Sequence, residues 1–211
     1  MNRYVAPAVI ASCLISGAAL SQVSTIWPTP LKTVNFEGKF WDPGYNNGVP
    51  KSSWAQHLGV DLKADTKTKV VSPVDGYVIE NNTMDGTTTQ AQAYIVIKET
   101  TTGYEHVLGH INSINDVCRN IAAFPKNCSE KSRVYKGKSD VGRPMPKNEF
   151  AVHVHWGLNS RSISAAKGNH TGTKWGNASG KKWGWGRAPV EATKSMGCSL
   201  GWIDPTGVTK C

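Results

Sequence analysis

From Ser53 to Leu158 the chain is written in short β-like runs broken by turn signals, and runs this short hold together only by pairing with one another. Gly59 to Leu62, Val70-Val71, Gly76 to Glu80, Ala93 to Lys98, Glu105 to Ile111 and Ala151 to Leu158 are the clearest. Ser72-Pro73-Val74-Asp75-Gly76 supplies a turn between two of them, with proline presetting φ and glycine open to conformations other residues avoid. The 21 glycines, 11 prolines and 8 tryptophans point the same way. No long amphipathic helical pattern follows the N-terminus. With 211 residues there is room for one domain with a proper core and little beside it. The expected fold class is mainly β, an antiparallel β sandwich or open barrel, carrying loop insertions.

Residues 1–21 have the order of a secretory signal peptide: Arg3 in a polar start, an apolar run from Val5 to Leu20, then small residues at Ala19 and Ser21. Ile10-Ala11-Ser12-Cys13 looks like a lipobox, but the apolar run continues past Cys13. That run falls short of the roughly 20 apolar residues needed to span a bilayer, so a secreted or periplasmic protein without a stable membrane anchor is expected. Removing the leader takes Cys13 with it and leaves Cys118, Cys128, Cys198 and Cys211. An even count in an exported chain points to two disulfides, and closeness in sequence favours Cys118 with Cys128 and Cys198 with Cys211 among three connectivities. Residues 22–50 read as an irregular segment, rich in Pro, Gly, Asn and aromatics, laid over a domain of residues 51–211. Insertions are expected near 117–133 and 165–194, the second holding Trp175, Trp183 and Trp185 among lysines and glycines. The formal charge of +9, or +8 without Arg3, suits solubility and an anionic partner equally, and does not choose among cell-wall polymers, acidic lipid head groups and nucleic acid. No motif for binding nucleic acid accompanies it.

Three short segments carry the chemistry: His57-Leu-Gly-Val-Asp61, Leu108-Gly109-His110 and His153-Val-His155. Side chains alternate along a strand, so His153 and His155 share a face, and so do His57 and Asp61 if the residues between them are extended. Positions i and i+4 are about 13 Å apart in a strand, so one metal can take both His57 and Asp61 only where the chain bends, and Gly59 offers a place. Imidazole nitrogen and carboxylate oxygen suit Zn²⁺, whose catalytic sites use three protein ligands and leave a position to water. The helical His-Glu-x-x-His motif is absent, so the metal would be held on strands. His106 shares the strand parity of His110 and competes with it. About 13 Å of strand would separate the two, and His106 is placed on the sheet surface. His170, between glycine-rich stretches, is read as an exposed loop residue.

These segments resemble the lysostaphin-type, LytM-like zinc endopeptidases that cut peptidoglycan peptides. His57-Leu-Gly-Val-Asp61 is similar to the first motif of that family, and His153-Val-His155-Trp156-Gly157-Leu158 to its histidine-x-histidine strand. Ser72 to Val78, Val107 to Asn112, Val134 to Gly142 and Trp202-Ile203-Asp204-Pro205 resemble the intervening and closing segments, although Leu108 stands where the family has tyrosine. The likeness covers about Trp54 to Leu158 and a short stretch near 202. It implies one Zn²⁺ per chain held by His57, Asp61 and His155, with His110 and His153 as the catalytic pair. It further implies peptidoglycan peptides as substrate. A monomer is expected. The competing reading is a non-catalytic wall-binding or regulatory module on the same fold, whose signature would be loss of ligands, and none is lost here.

Overall fold

The computed structural model describes residues 25–35, 38–42, 45–46, 49–50, 56–83, 93–112, 126–127, 132–146, 151–163, 183–189 and 192–207. The leader-like segment, His170 and Cys13, Cys118, Cys128 and Cys211 fall outside them, so neither expected cysteine pairing lies within the described residues.

Thirteen strands run in chain order among these residues: β1 (Tyr45–Asn46), β2 (Val49–Pro50), β3 (Gly59–Lys63), β4 (Val70–Val71), β5 (Gly76–Asn81), β6 (Tyr94–Glu99) and β7 (Glu105–Gly109). They continue as β8 (Ile111–Asn112), β9 (Lys126–Asn127), β10 (Arg133–Val134), β11 (Asp140–Pro144), β12 (His153–Asn159) and β13 (Trp202–Ile203). Eight of them make one sheet, ordered β10-β5-β6-β7-β12-β13, with β3 also on β12 and β9 also on β5. A second sheet holds β4, β11 and β8, while β1 and β2 pair alone. Every pairing is antiparallel, and neither sheet closes into a barrel. The expected class is therefore met by two open sheets.

Each run read from the sequence has a strand within two residues of it, with one informative exception, while β1 and β2 fall in the segment expected to be irregular, β9 in an expected insertion, and β10, β11 and β13 outside the named runs. Glu105 to Ile111 is not continuous: β7 stops at Gly109, β8 starts at Ile111, and His110 between them has φ of 59°. The chain changes sheets at this residue. His110 donates its backbone N–H to Ala93 beside the large sheet, and its carbonyl accepts from Met145 just after β11 in the small one.

β12 is the organising strand. It pairs β7 along one edge through residues 155–159, and along the other takes β3 through 153–157 and then β13 at 158–159. All seven of its residues are buried, as are all five of β7, because both faces of the sheet are covered. One face carries the apolar core of Val60, Leu62, Ile95, Ile97, Leu108, Val154 and Trp156, with Trp27 tilted against Trp156 at 6.1 Å. Removing side chains of this size from water is the main source of stability, at about 25 cal/mol per Å² of apolar surface.

On the opposite face the covering comes from two chain segments. Residues 33–35 and 38–42 lie along the other edge of β3: Lys63 N–H donates to the Thr33 carbonyl, Asn35 N–H to Asp61, and Asp61 N–H to Gly38. Residues 183–189 come from the far side, where Leu58 N–H donates to Gly186 and Ala188 N–H to Gln56. Helix α1 (Lys194–Ser199) follows, started by Thr193, whose hydroxyl accepts the Met196 N–H. Among the described residues no helix is long and apolar enough to cross a membrane.

Candidate metal centre

Asp61 in β3 stands directly opposite His155 in β12. His57 precedes β3 and reaches the same point because the chain bends at Leu58 before the strand begins. Its main chain is tied down on both sides: Trp41 N–H donates to the His57 carbonyl, His57 N–H donates to Asp42, and a β-bridge links it to Arg187. The three donor atoms then converge. His57 Nε2 lies 2.9 Å from His155 Nδ1 and 3.1 Å from Asp61 Oδ1, and His155 Nδ1 lies 3.3 Å from that same oxygen.

Hydrogen bonding settles which nitrogens face the centre. His57 Nδ1 is 3.1 Å from the Lys39 carbonyl, which can only accept, so the proton sits on Nδ1 and the Nε2 lone pair points inward. A single proton on His155 Nδ1, shared toward His57 Nε2 and Asp61 Oδ1, satisfies the trio without metal. Exchanged for a dication, that proton leaves two nitrogen lone pairs and one carboxylate oxygen aimed at a common point. Ligands 2.0–2.1 Å from a tetrahedral zinc lie about 3.3 Å from one another, so the observed triangle matches one face of such a site. The donor set fits zinc in chemistry and in spacing.

Burial alone would raise the Asp61 carboxyl, but the adjacent His57 and His153 and the hydrogen bonds from His155 and His57 hold it well below the usual carboxylate range. Burial pushes His155 down to about 3, against the opposing pull of its hydrogen bond to Asp61. The centre therefore presents an ionised carboxylate and a neutral imidazole, the protonation states a metal requires. Burial likewise lowers Arg187, opposed by the charges of Asp61 and Asp42.

The floor of the centre is made of glycine. Gly59 and Gly157 face each other across β3 and β12, and Gly109 faces His155 across β7 and β12. A Cβ at Gly59 would lie 2.7 Å from His155 Cε1 and 2.8 Å from its Nε2; at Gly157 it would lie 3.2 Å from that nitrogen. The imidazole lies down on bare backbone, which directs its Nδ1 edge at Asp61. Gly38 plays the same part above, since a Cβ there would fall 2.4 Å from the Asp61 Cβ.

The two remaining candidates sit beside the trio. His153 Nδ1 donates to the Ala151 carbonyl, leaving its Nε2 lone pair 3.6 Å from Asp61 Oδ1. His110 is fully buried, with its ring 4.5 Å from that of His153 and 6.4 Å from that of His155. By strand alternation His110 would point to the other face, with His106 and Leu108. The positive φ swings it to the metal face instead. All five residues singled out in the sequence thus meet in one place.

His106 does not lie on the sheet surface, as expected, but is fully buried on the opposite face. Its Nδ1 accepts the Trp156 indole N–H at 3.3 Å, the two rings stack at 6.4 Å, and burial lowers its pKa to about 3. Parity assigns a side chain to a face but says nothing about what covers that face. The sequence assigns no individual role in the site to Gly38, the Lys39 carbonyl, Gly109, Gly157 or Trp185. For Gly109 and Gly157 a signal exists, because glycine inside a strand often marks close approach of another group. A backbone carbonyl leaves none.

No family model and no curated protein matches the chain. Solved structures similar to it include a zinc-containing peptidase from Vibrio cholerae, at 17% identity and TM-score 0.42 over 63% of this chain and 35% of that one. The solution structure of lysostaphin is similar at 15% identity and TM-score 0.37, over 77% of this chain and 57% of that one. A protein described as a glycyl-glycine endopeptidase LytM, from Ruminococcus gnavus, is similar at 17% identity and TM-score 0.33, over 80% and 63%. The chain spans between about a third and just under two thirds of the length of these structures. Likenesses at this level carry no functional weight.

Proposed function

We propose that this protein is an exported zinc-dependent endopeptidase that hydrolyses peptide bonds in bacterial peptidoglycan. One observation carries the reading: three donors of zinc-binding type, His57 Nε2, Asp61 Oδ1 and His155 Nδ1, lie within 3.3 Å of one another beside a second pair of histidines. The leader-like residues 1–21 and the motif resemblance support export and the substrate class, and the charge of +9 supports contact with anionic wall polymers.

His57, Asp61 and His155 would hold a single zinc ion. Bound there, zinc supplies a water whose pKa is drawn toward about 7 and polarises the carbonyl to be cleaved. The protein's own groups do the rest. With its Nδ1 proton committed to Ala151, His153 is fixed in the tautomer that accepts at Nε2, so it takes the proton released as water oxygen bonds to the carbonyl carbon. His110, its ring 4.5 Å from that of His153, helps pass that same proton on to the departing amine nitrogen as the C–N bond breaks, which leaves both imidazoles neutral again. The glycine floor supports one edge of the His155 ring, and the Lys39 carbonyl keeps His57 in its tautomer.

The test measures bound zinc and release of fragments from purified peptidoglycan for wild type, His57→Ala and His153→Ala. His57→Ala should lose both metal and activity, while His153→Ala keeps most of its metal and loses activity. Wild-type protein that binds zinc yet leaves every muropeptide intact would favour the non-catalytic module. Protein that binds no zinc sinks the proposal.

A further inference from the structure

Four residues on adjacent strands stand in one cross-strand row on the metal face: Tyr94, Gly109, His155 and Asp61. Three carry side chains and one does not. The gap is filled from outside the sheet: a Cβ on Gly109 would lie 2.1 and 2.2 Å from Cζ3 and Cη2 of Trp185, so the indole occupies the space a side chain would have taken. Trp185 is fully buried, and its ring centroid lies 5.0 Å from Tyr94, 5.3 Å from His155 and 5.6 Å from His110.

The wedge is braced on both sides. Its own segment is stapled next to His57, with Leu58 N–H donating to Gly186 at 3.0 Å, Ala188 N–H donating to Gln56 at 2.8 Å and Gly184 N–H donating to Arg187 within the turn. Across the indole Tyr94 is anchored through its hydroxyl to the buried Glu80 carboxylate, and burial followed by the Glu80 charge raises its pKa, so it stays protonated. An imidazole turns easily about χ2, a broad torsion with no staggered wells, and needs a wall on its face as well as a floor under its edge. The glycines supply the floor for His155. Trp185 supplies the wall, meeting His155 edge to face at 72° and His110 at 56°.

We infer that Trp185 is a positioning residue: seated over Gly109, its indole sets the ring planes of His155 and His110, aiming one metal donor and one acid–base nitrogen together. The inference rests on the zinc peptidase reading and goes beyond it, since it makes the 183–188 segment a built part of the centre.

The experiment compares wild type with Trp185→Phe, Trp185→Ala, Gly109→Ala and the double variant Gly109→Ala/Trp185→Phe. Its readouts are zinc affinity by chelator competition, the visible spectrum with Co²⁺ in place of zinc, and kcat and KM on purified peptidoglycan. Trp185→Ala should weaken zinc binding by about 10- to 100-fold, change the Co²⁺ spectrum, and lower kcat with little change in KM. Gly109→Ala should reproduce those losses with the tryptophan intact. Phenylalanine lacks the benzo-ring atoms that collide, so the double variant should recover part of what Gly109→Ala lost, a rescue that a general packing defect does not predict. Should Trp185→Ala fail to fold, Trp185→Phe and the double variant decide. Folded variants with wild-type affinity, spectrum and kcat overturn the inference and leave the peptidase reading standing; wild type that binds neither metal overturns both.

Discussion

At the residue scale the centre depends as much on absent side chains as on present ones. Gly59→Ala puts a methyl group 2.4 Å from the Trp156 carbonyl oxygen as well as against the His155 ring, and neither neighbour has room to yield. It should cost roughly 1–3 kcal/mol of stability and weaken zinc binding about 10- to 100-fold, read by thermal melting and chelator competition. His106 yields a prediction of another kind. Its folded pKa of about 3 is below the ordinary 6.5, so above 6.5 the group is neutral in both states and its contribution is fully present. As pH falls from 6.5 toward 3, the unfolded chain takes up a proton that the native state refuses, and stability declines. His106→Gln keeps an acceptor for the Trp156 indole but cannot titrate, so denaturation midpoints taken between about pH 7 and pH 4 should fall less steeply than for wild type. That His153 and His155 share a face was legible, because period-two alternation needs nothing but sequence. The burial of His106 was not, because it depends on Trp27 and Trp156 meeting over a face that one strand cannot describe.

Elements explain why His110 joins the site at all. It occupies the junction where β7 leaves the large sheet and β8 enters the small one, and its left-handed backbone turns a residue of the wrong parity toward the face that holds His57, Asp61 and His155. Asparagine tolerates that conformation and a β-branched residue does not. His110→Asn should therefore keep near-wild-type stability while losing peptidase activity, whereas His110→Val should lose activity and about 1–2 kcal/mol of stability, both seen in chemical denaturation beside a turnover assay. The longer strands β3, β5, β6, β7 and β12 were legible to within two residues from β-branched content and turn signals, whereas β11 and most of the two-residue strands were not. The break at His110 was not, because Val107 to Ile111 gives no proline or second glycine to mark it. Trp185 was hidden for a different reason. A tryptophan among lysines and glycines reads equally as an exposed stacking platform or as buried packing, and only the docking of 183–189 onto residues 56–58 decides between them.

Taken as a whole molecule, the protein gathers its candidate ligands from chain positions far apart. His57 and His155 are separated by 98 residues, and Asp61 and His155 by 94. A cation gripping all three closes a loop nearly half the chain long. A covalent cross-link over such a span is worth about 4.7 kcal/mol in the chain-entropy description, and a coordinate tie acts in the same sense. Removing metal with a chelator should lower the melting temperature by several degrees and zinc should restore it, with His57→Ala insensitive to both treatments. The link is one that can be undone without chemistry. A disulfide answers to the redox state of its surroundings, but a closure through these three residues would answer to free zinc, so on the proposed reading the conditions that remove activity would also loosen the chain and expose it to proteolysis. Active protein and durable protein would then be the same population, sorted by metal supply.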